Sequence, residues 1–438
     1  VRGIEAACKA WRAAGEGEFL SEALRKITAS VQDEERELAA TLSYAAMRRR
    51  SLWVHLVKKC LRKPFEDLSP EAKDILVVGT AGMFELKHFA LPSLANALVS
   101  IAKMECPSEA GLVNAVLRRV SEVGKGEMMR LESSAELADQ ALLSGMPLWL
   151  AKMWADELGI PAAKKLLKMT NMRSYLSLRL SPSAQAESVI ASFASIRRKV
   201  WHSPLFSYSL RTAFTAHPPS LPGYREGLWA PQSESSMAAI DVAGRFWKGG
   251  RVLDMCAGRG VKMGQMLQRW DGVFVEGWDV SFAKVKAAGE ELERLGVPAS
   301  AFKLKTGDAL YLEPEETPHL IILDAPCSGS GTWGRHPEGK WRLTRRRLGE
   351  IAALQKRLLD RALSLLPPGG TVVYITCSLL RAENEQVVGD MMTSRSDAVE
   401  LEVIQEGLPL KRGRPWGYYI LPTLPWLDGF YIAIIMKR

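Results

Sequence analysis

Two periodicities divide the chain. From Gly3 to about Val123, apolar residues recur at helical spacing in EALRKITASV, ERELAATLSYAAM, LWVHLVKKCL and KDILVVGTAGMFELK, so this part reads as a series of helices. Pro64, the Ser69-Pro70 pair and Pro92 punctuate them, a serine followed by proline being a good N-cap and first helical residue. A polar stretch from Gly124 to about Ser134 reads as linker material. PLWLAKMWADELG and AAKKLLKMTN then return to the helical pattern, and YLSLRLS alternates as a strand with Arg179 on its polar side. Helix and strand signals mix from Ala184 to about Tyr224, around the Pro-rich HPPSLPG.

From Gly249 short apolar runs alternate with helical segments. RVLDMC, VFVEGWDV, AFKLKTGD, HLIILDAP and TVVYITCS each end in a polar or small residue. AKVKAAGEELERLG lies among the first three, and RRRLGEIAALQKRLLDRALSLL precedes the last. This alternation predicts a parallel sheet covered on both faces, with GFYIAIIM as one more strand. Ligands of such sheets bind beyond the carboxyl ends of the strands. Those ends carry Asp254, Cys256, Asp279, Asp308, Asp324, Cys327, Thr376 and Cys377.

Composition narrows the class. A chain of 438 residues is long enough for two or three domains, and 47% hydrophobic with 24% charged residues is globular. No apolar run reaches the roughly 18 residues of a membrane span. The start, VRGIEAACKAWRAAGEGE, lacks the apolar core of a secretory signal, so a cytoplasmic protein is expected. The net charge is +9, and basic clusters recur at Arg48–Arg50, Lys58–Lys59, Arg118–Arg119, Arg197–Lys199, Arg345–Arg347 and Lys411–Arg414. One cluster is ordinarily a solvated face. Several together point to a polyanion, nucleic acid first.

The six cysteines sharpen the chemistry. None forms a C-x-x-C pair, so neither structural zinc nor any other metal is expected, and their scatter does not suggest a disulfide framework. Cys8, Cys60 and Cys106 fall in helical patterns and read as packing residues. Cys327 and Cys377 follow what read as neighbouring strands, so both thiols could face one cleft beside Asp324. A lone strand-end cysteine is ordinarily a packing residue, but a pair near basic residues suggests a nucleophile. No histidine sits in a partner motif, which counts against a thiol hydrolase. Position alone does not decide which thiol attacks.

DMCAGRGVKMGQM is a glycine-containing turn into a helix, where backbone N–H groups approach a ligand closely. Asp279 ends the second strand, where an acid binds ribose hydroxyls, and Asp308 ends the third, towards an adenine. Each alone reads equally as an N-cap. No P-loop is present, so a nucleoside cofactor without phosphate fits, and S-adenosylmethionine meets that description.

These residues carry a resemblance. DAPCSGSG with Cys327 and YITCS with Cys377 resemble the paired motifs of the Nop/Sun family of RNA cytosine-5 methyltransferases. DMCAGRGVK resembles its cofactor loop, WAPQSESS its Q-D-E-x-S segment and LDGFYIAIIMKR its usual ending. GLVNAVLRRV resembles the end of the NusB-like domain of the RsmB-type branch. PLWLAKMWADELG and LSLRLS resemble the part that joins that domain to the catalytic one.

The resemblance implies an α/β fold: a doubly wound, Rossmann-like methyltransferase domain over 229–438, preceded by an all-α NusB-like RNA-binding domain over 1–125. A linker at 126–145 and a small α+β connecting subdomain at 146–228 would lie between them. It implies transfer of a methyl group from S-adenosyl-L-methionine to C5 of a cytosine in RNA, 16S ribosomal RNA first, by a monomer. Cys377 would attack, Cys327 assist release and Asp324 hold the base edge. Cys256, Ala257, Gly258, Arg259, Gly260, Val261 and Lys262, with Asp279, Asp308 and Asp324, would bind the cofactor. Four positions depart from the pattern. Arg259 stands for proline, Val261 for glycine, Ser233 for aspartate and Ser181 for asparagine. A bulkier residue in the cofactor loop leaves two rivals open: a non-catalytic RNA-binding or ribosome-assembly protein on a degenerate methyltransferase fold, and the same chemistry on transfer RNA.

Overall fold

The helical periodicity of the first part folds as helices throughout. They span Arg2–Gly15, Leu20–Ile27, Asp33–Arg48, Arg50–Cys60, Pro70–Glu85, Leu91–Glu105 and Ala110–Ser133. The structure is a computed structural model that describes residues 2–86, 91–172, 175–213, 217–404 and 407–438. Lys87 of the predicted helix KDILVVGTAGMFELK, and residues 214–216 of the mixed stretch, lie outside them. The chain forms two units, one running to Met172 with the addition of Trp333–Arg342, the other holding the remainder.

In the first unit the Ser69 hydroxyl accepts from Ala72 N at 3.2 Å and Pro70 opens the helix, the cap its sequence announces. Trp53, Leu56, Val77, Leu98, Val113 and Leu117 fill one apolar core, with Cys8, Cys60 and Cys106 buried in it as packing thiols. Residues 126–145, expected as a linker, are helical instead: Ala110–Ser133 continues through their first part and Leu137–Leu143 follows. Gly124, Glu127 and Leu131 keep one buried face at helical spacing. Glu127 is tolerated there because His55, Lys59 and Arg130 surround its carboxylate. The next helices, Leu148–Leu158 and Ile160–Met169, also lie in this unit, ahead of the strands of the expected connecting subdomain.

The chain returns to the helical unit at Trp333–Arg342, which nothing in the sequence pattern announced. The Trp333 ring packs 6.0 Å from that of Trp154, and Trp341 Nε1 donates to Met47 O at 3.0 Å. Lys340 is wholly buried, and its ammonium donates to Arg48 O at 2.6 Å, at the carbonyl end of Asp33–Arg48 where a helix favours a cation.

The second unit begins with a four-stranded antiparallel sheet of β1 (Tyr175–Leu180), β2 (Val200–His202), β3 (Ser209–Ala213) and β4 (Trp229–Pro231), in the order β2-β3-β1-β4. Leu176, Leu178 and Leu180 pack against Val189 and Phe193 of the helix Ala186–Ser195. Arg179 does not face solvent as its alternation predicted; it is 1% exposed, and among the described residues no guanidinium nitrogen has a hydrogen-bond partner. The reason is that the second face of β1 is covered too. A Cβ on Gly264, in the helix Val261–Arg269, would lie 3.1 Å from Arg179 Nη2.

Nine strands among the described residues form the large sheet. They are β5 (Arg251–Asp254), β6 (Phe274–Asp279), β7 (Phe302–Thr306), β8 (Leu320–Asp324), β9 (Thr371–Thr376), β10 (Ala398–Leu401), β11 (Leu410–Arg412), β12 (Tyr418–Ile420) and β13 (Phe430–Lys437). The order is β11-β12-β13-β9-β8-β5-β6-β7, with β10 also on β13. β5 to β9 pair in parallel, and β13 joins β9 antiparallel. Val252, Ile322 and Val373 enter the core on one face with Met237 and Ala239, while Leu253, Leu323 and Tyr374 enter the other with Leu359 and Ala362. That split is the period-two signature of a sheet buried on both faces. The fold is the expected Rossmann-like one, made mixed by β13. No helix among the described residues is long and apolar enough to cross a membrane.

Candidate active site

Strand order brings the predicted residues to one edge. β8 lies between β5 and β9, so the ends of these three strands are adjacent, and β6 stands beside β5. After β5 the chain turns through Cys256–Gly260 into the helix Val261–Arg269. Ala257 N donates to Trp278 O at 2.7 Å, and Gly258 N to Asp279 Oδ2 at 3.1 Å. Asp279 Oδ1 accepts from Ser281 N at 2.9 Å, so this one carboxylate ties the β5 turn to the β6 turn. Gly260 has φ 76°, the left-handed region, and a Cβ there would lie 3.0 Å from Ala288 Cβ. Arg259 is exposed, and Val261 has no positive φ, so the two departures from the usual loop fit its backbone.

Lys262 crosses to the end of β8, its ammonium 2.5 Å from Asp324 Oδ2 and 5.6 Å from the centre of the Phe430 ring. Burial works against its charge, but Asp324, by charge and hydrogen bond, and Asp254 hold its pKa above the ordinary lysine value. Asp254, at the end of β5, is buried, and burial together with the Asp324 charge pushes its carboxyl up to about 7. Burial and the charges of Asp254, Asp324 and Asp279 likewise push the Cys256 thiol up, so it stays protonated and is no nucleophile.

Cys327 and Cys377 meet as their strands predict. Asp324 of β8 pairs with Ile375 of β9, and the two Sγ atoms that follow lie 3.3 Å apart. The Cys327 thiol is raised well above the ordinary range by its hydrogen bond to Cys377, by burial, and by the charges of Cys377 and Glu383. Either sulfur can be the donor in this contact. Glu383 itself is buried and accepts from Ser328 and Ser378, the residues next to each cysteine. Glu383 did not stand among the candidates, and Asp254 stood there only as a strand-end residue without a role. The acids in RAENEQ, two residues after YITCS, were the signal for the first.

Asp308 stands apart from this centre. It follows β7, two strands from β5, and its Oδ1 accepts from Leu310 N of its own turn at 3.0 Å. Exposed apolar side chains accompany it and Asp279: Val280 is 72%, Phe282 70% and Tyr311 74% exposed. Acids with bare apolar side chains along two adjacent strand ends fit a ribose and an adenine. Ser233 has a structural role, its hydroxyl accepting from Ser236 N at 3.3 Å to cap the helix Glu234–Gly244. Ser181 donates to Gly227 O at 2.6 Å, a structural role. Among the described residues no cluster of three or more His, Cys, Asp or Glu side chains is placed to hold a metal.

Comparisons with known proteins agree with this fold. Residues 246–436 match the family of 16S rRNA methyltransferase RsmB/F, and residues 4–122 match the NusB family. Ribosomal RNA small subunit methyltransferase B of Klebsiella pneumoniae is 28% identical over 433 residues, covering 96% of this chain and 95% of its own length. The protein of that name from Salmonella paratyphi B is 26% identical over 431 residues, covering 97% and 95%. Among solved structures, PH0851 superposes with a TM-score of 0.83 at 22% identity, over 100% of this chain and 98% of its own. NSun6 from Pyrococcus horikoshii, solved with SFG, gives 0.57 at 18% identity over 67% of this chain and 99% of its own. At these identities the two structures speak for the fold.

Proposed function

Because the chain belongs to the RsmB-type branch of the Nop/Sun RNA methyltransferases, with a NusB domain ahead of its catalytic part, we propose that it methylates C5 of a cytosine in 16S ribosomal RNA through a covalent adduct with Cys377. The observation that supports this most is the pair of thiols 3.3 Å apart at adjacent strand ends, beside Asp324. The relatives' printed name, ribosomal RNA small subunit methyltransferase B, supports the substrate.

S-adenosylmethionine is the cofactor, SFG in the NSun6 structure being an analogue of it. It supplies an electrophilic methyl group on a sulfonium. The Cys256–Lys262 turn, Asp279 and Asp308 would hold it, Asp279 at the ribose and Asp308 at the adenine end. Arg259 is exposed and Val261 needs no positive φ, so neither residue strains the turn, which favours catalysis over a degenerate fold.

C5 of cytosine is a poor nucleophile, and the thiol pair addresses that. The Cys377 thiolate adds to C6, its electron pair forming the S–C6 bond and leaving C5 enamine-like. Asp324 accepts from the N4 amino edge and orients the base, and the Lys262 ammonium beside it offsets the negative charge shifted into the ring. Once C5 is alkylated, its proton leaves to a base, the C5–H pair restores the C5–C6 double bond, and Cys377 departs as thiolate. Cys327, next to Cys377, assists that release. The target base must be unstacked to reach these groups, and the basic surface holds the RNA backbone.

Bisulfite sequencing of 16S rRNA from cells with and without the protein tests the reading. One cytosine resistant to conversion only when the protein is present is expected. Identical conversion everywhere would sink it.

A further inference from the structure

Glu383 has no part in the steps above, yet its carboxylate is buried among neutral donors that lead to both thiols. Oε1 accepts from Ser328 N at 2.7 Å and from Gln355 Nε2 at 3.3 Å; Oε2 accepts from the hydroxyls of Ser328 and Ser378, both at 2.5 Å. An ionised carboxylate offers about four acceptor sites, and all are occupied. Burial raises the Glu383 pKa, while the Ser328 and Ser378 bonds act against the rise.

The donors are not arbitrary residues. Ser328 follows Cys327 and Ser378 follows Cys377. Gln355 Nε2 also donates to Pro326 O at 2.9 Å, so Cys327 is held from both sides. Ser330 Oγ lies 3.0 Å from Ser378 Oγ and accepts from Leu379 N at 2.8 Å, a second tie between the same two loops. Glu383 is itself fixed to β9. Its carbonyl accepts from Tyr374 Oη at 2.6 Å, and the Asn384 amide bridges Thr376 Oγ1 at 2.6 Å and Ser378 O at 2.8 Å.

We infer that Glu383 is a positioning residue for the thiol pair, its carboxylate clasping the loop of Cys327 to the loop of Cys377 through the serine beside each. The clasp sets the distance between the sulfurs, and its charge helps keep the proton on Cys327. The inference rests on the reading that the two thiols share one reaction.

Two variants separate shape from charge. In Glu383→Gln the amide oxygen can replace Oε1, and the NH2 can face two hydroxyls that rotate to accept; the clasp persists without its charge. Glu383→Ala removes both. The first measurement is iodoacetamide alkylation of the full-length protein alone, followed by peptide mass spectrometry across pH. Cys327 is expected to react at lower pH in both variants than in wild type. The second is methyl transfer from S-adenosylmethionine to a 16S rRNA transcript. Glu383→Ala is expected to lower kcat about 100-fold, as a misplaced reactive group does, with KM for the cofactor within about twofold. Glu383→Gln is expected to recover most of that loss. Should Glu383→Ala fail to fold, Ser378→Ala, which cuts one arm, takes its place with a kcat loss of about tenfold. Wild-type alkylation profiles and wild-type kcat in the variants overturn the positioning role. Absence of transfer by the wild type overturns the reaction instead, and the alkylation result still decides whether the Glu383 charge acts on Cys327.

Discussion

Cys327 Sγ lies 3.3 Å from Cys377 Sγ, well beyond the roughly 2.05 Å of a disulfide and within a sulfur hydrogen bond. Either thiol can donate to the other, so substitution is what separates their tasks. Cys377→Ser is expected to abolish methyl transfer to RNA. Cys327→Ala is expected to form the adduct but not resolve it, leaving a protein–RNA band on a denaturing gel. Full transfer by the Cys377 variant, or normal turnover without a trapped adduct in the Cys327 variant, would reverse these assignments.

Lys262 is the cation between Asp324 and Asp254. Without it two carboxyls at neighbouring strand ends would face each other, and Asp324 would lose its 2.5 Å partner. Lys262→Gln is expected to lower kcat by about a hundredfold to a thousandfold, the range found when a group aimed at developing charge is lost. Steady-state kinetics on an rRNA transcript measure it, and an unchanged kcat would remove Lys262 from the mechanism.

Most of the frame of this site was legible as pattern. The runs ending in Asp254, Asp279, Asp324 and Cys377 are strands because each is short, apolar and closed by a polar residue, and they lie where the alternation placed them. What pattern missed is set by contacts distant in sequence. Arg179 alternates like a solvent-facing residue, but the helix bearing Gly264 covers its face of β1. Residues 124–133 are polar enough for a linker, yet Gly124, Glu127 and Leu131 share a buried face that only the folded partners reveal. Glu383 sits in an ordinary helical string, and nothing local shows that Ser328, 55 residues earlier, donates to it.

Gly331 closes the Cys327 loop against β13. Its N–H donates to Cys377 O at 2.9 Å, and its carbonyl accepts from Gly429 N at 2.8 Å. A Cβ there would lie 2.0 Å from Gly429 O, so one chain must move. Gly331→Ala is expected to cost about 1–3 kcal/mol of stability and to lower methyl transfer beyond what the folded fraction explains. Denaturant melts beside kinetics test this, and a wild-type midpoint would refute the close approach.

Arg179 carries a buried charge whose guanidinium nitrogens have no hydrogen-bond partner among the described residues, and burial, with Arg269 nearby, lowers its pKa to about 10. An apolar side chain of similar length removes that desolvation cost and keeps the packing. Arg179→Met is expected to raise Tm. A lower Tm would mean that the guanidinium is compensated after all.

A buried carboxyl gives stability a slope with pH. Asp254 has a folded pKa of about 7 against an ordinary 3.8, so the folded state binds its proton more tightly. Its contribution falls as pH rises from about 4 through 7, and above that the full cost of a buried charge remains. Asp254→Asn is expected to flatten the decline of Tm across that window. Thermal melts from about pH 4 to 8 check this, and a wild-type slope in the variant would show that the carboxyl is solvated in the folded protein.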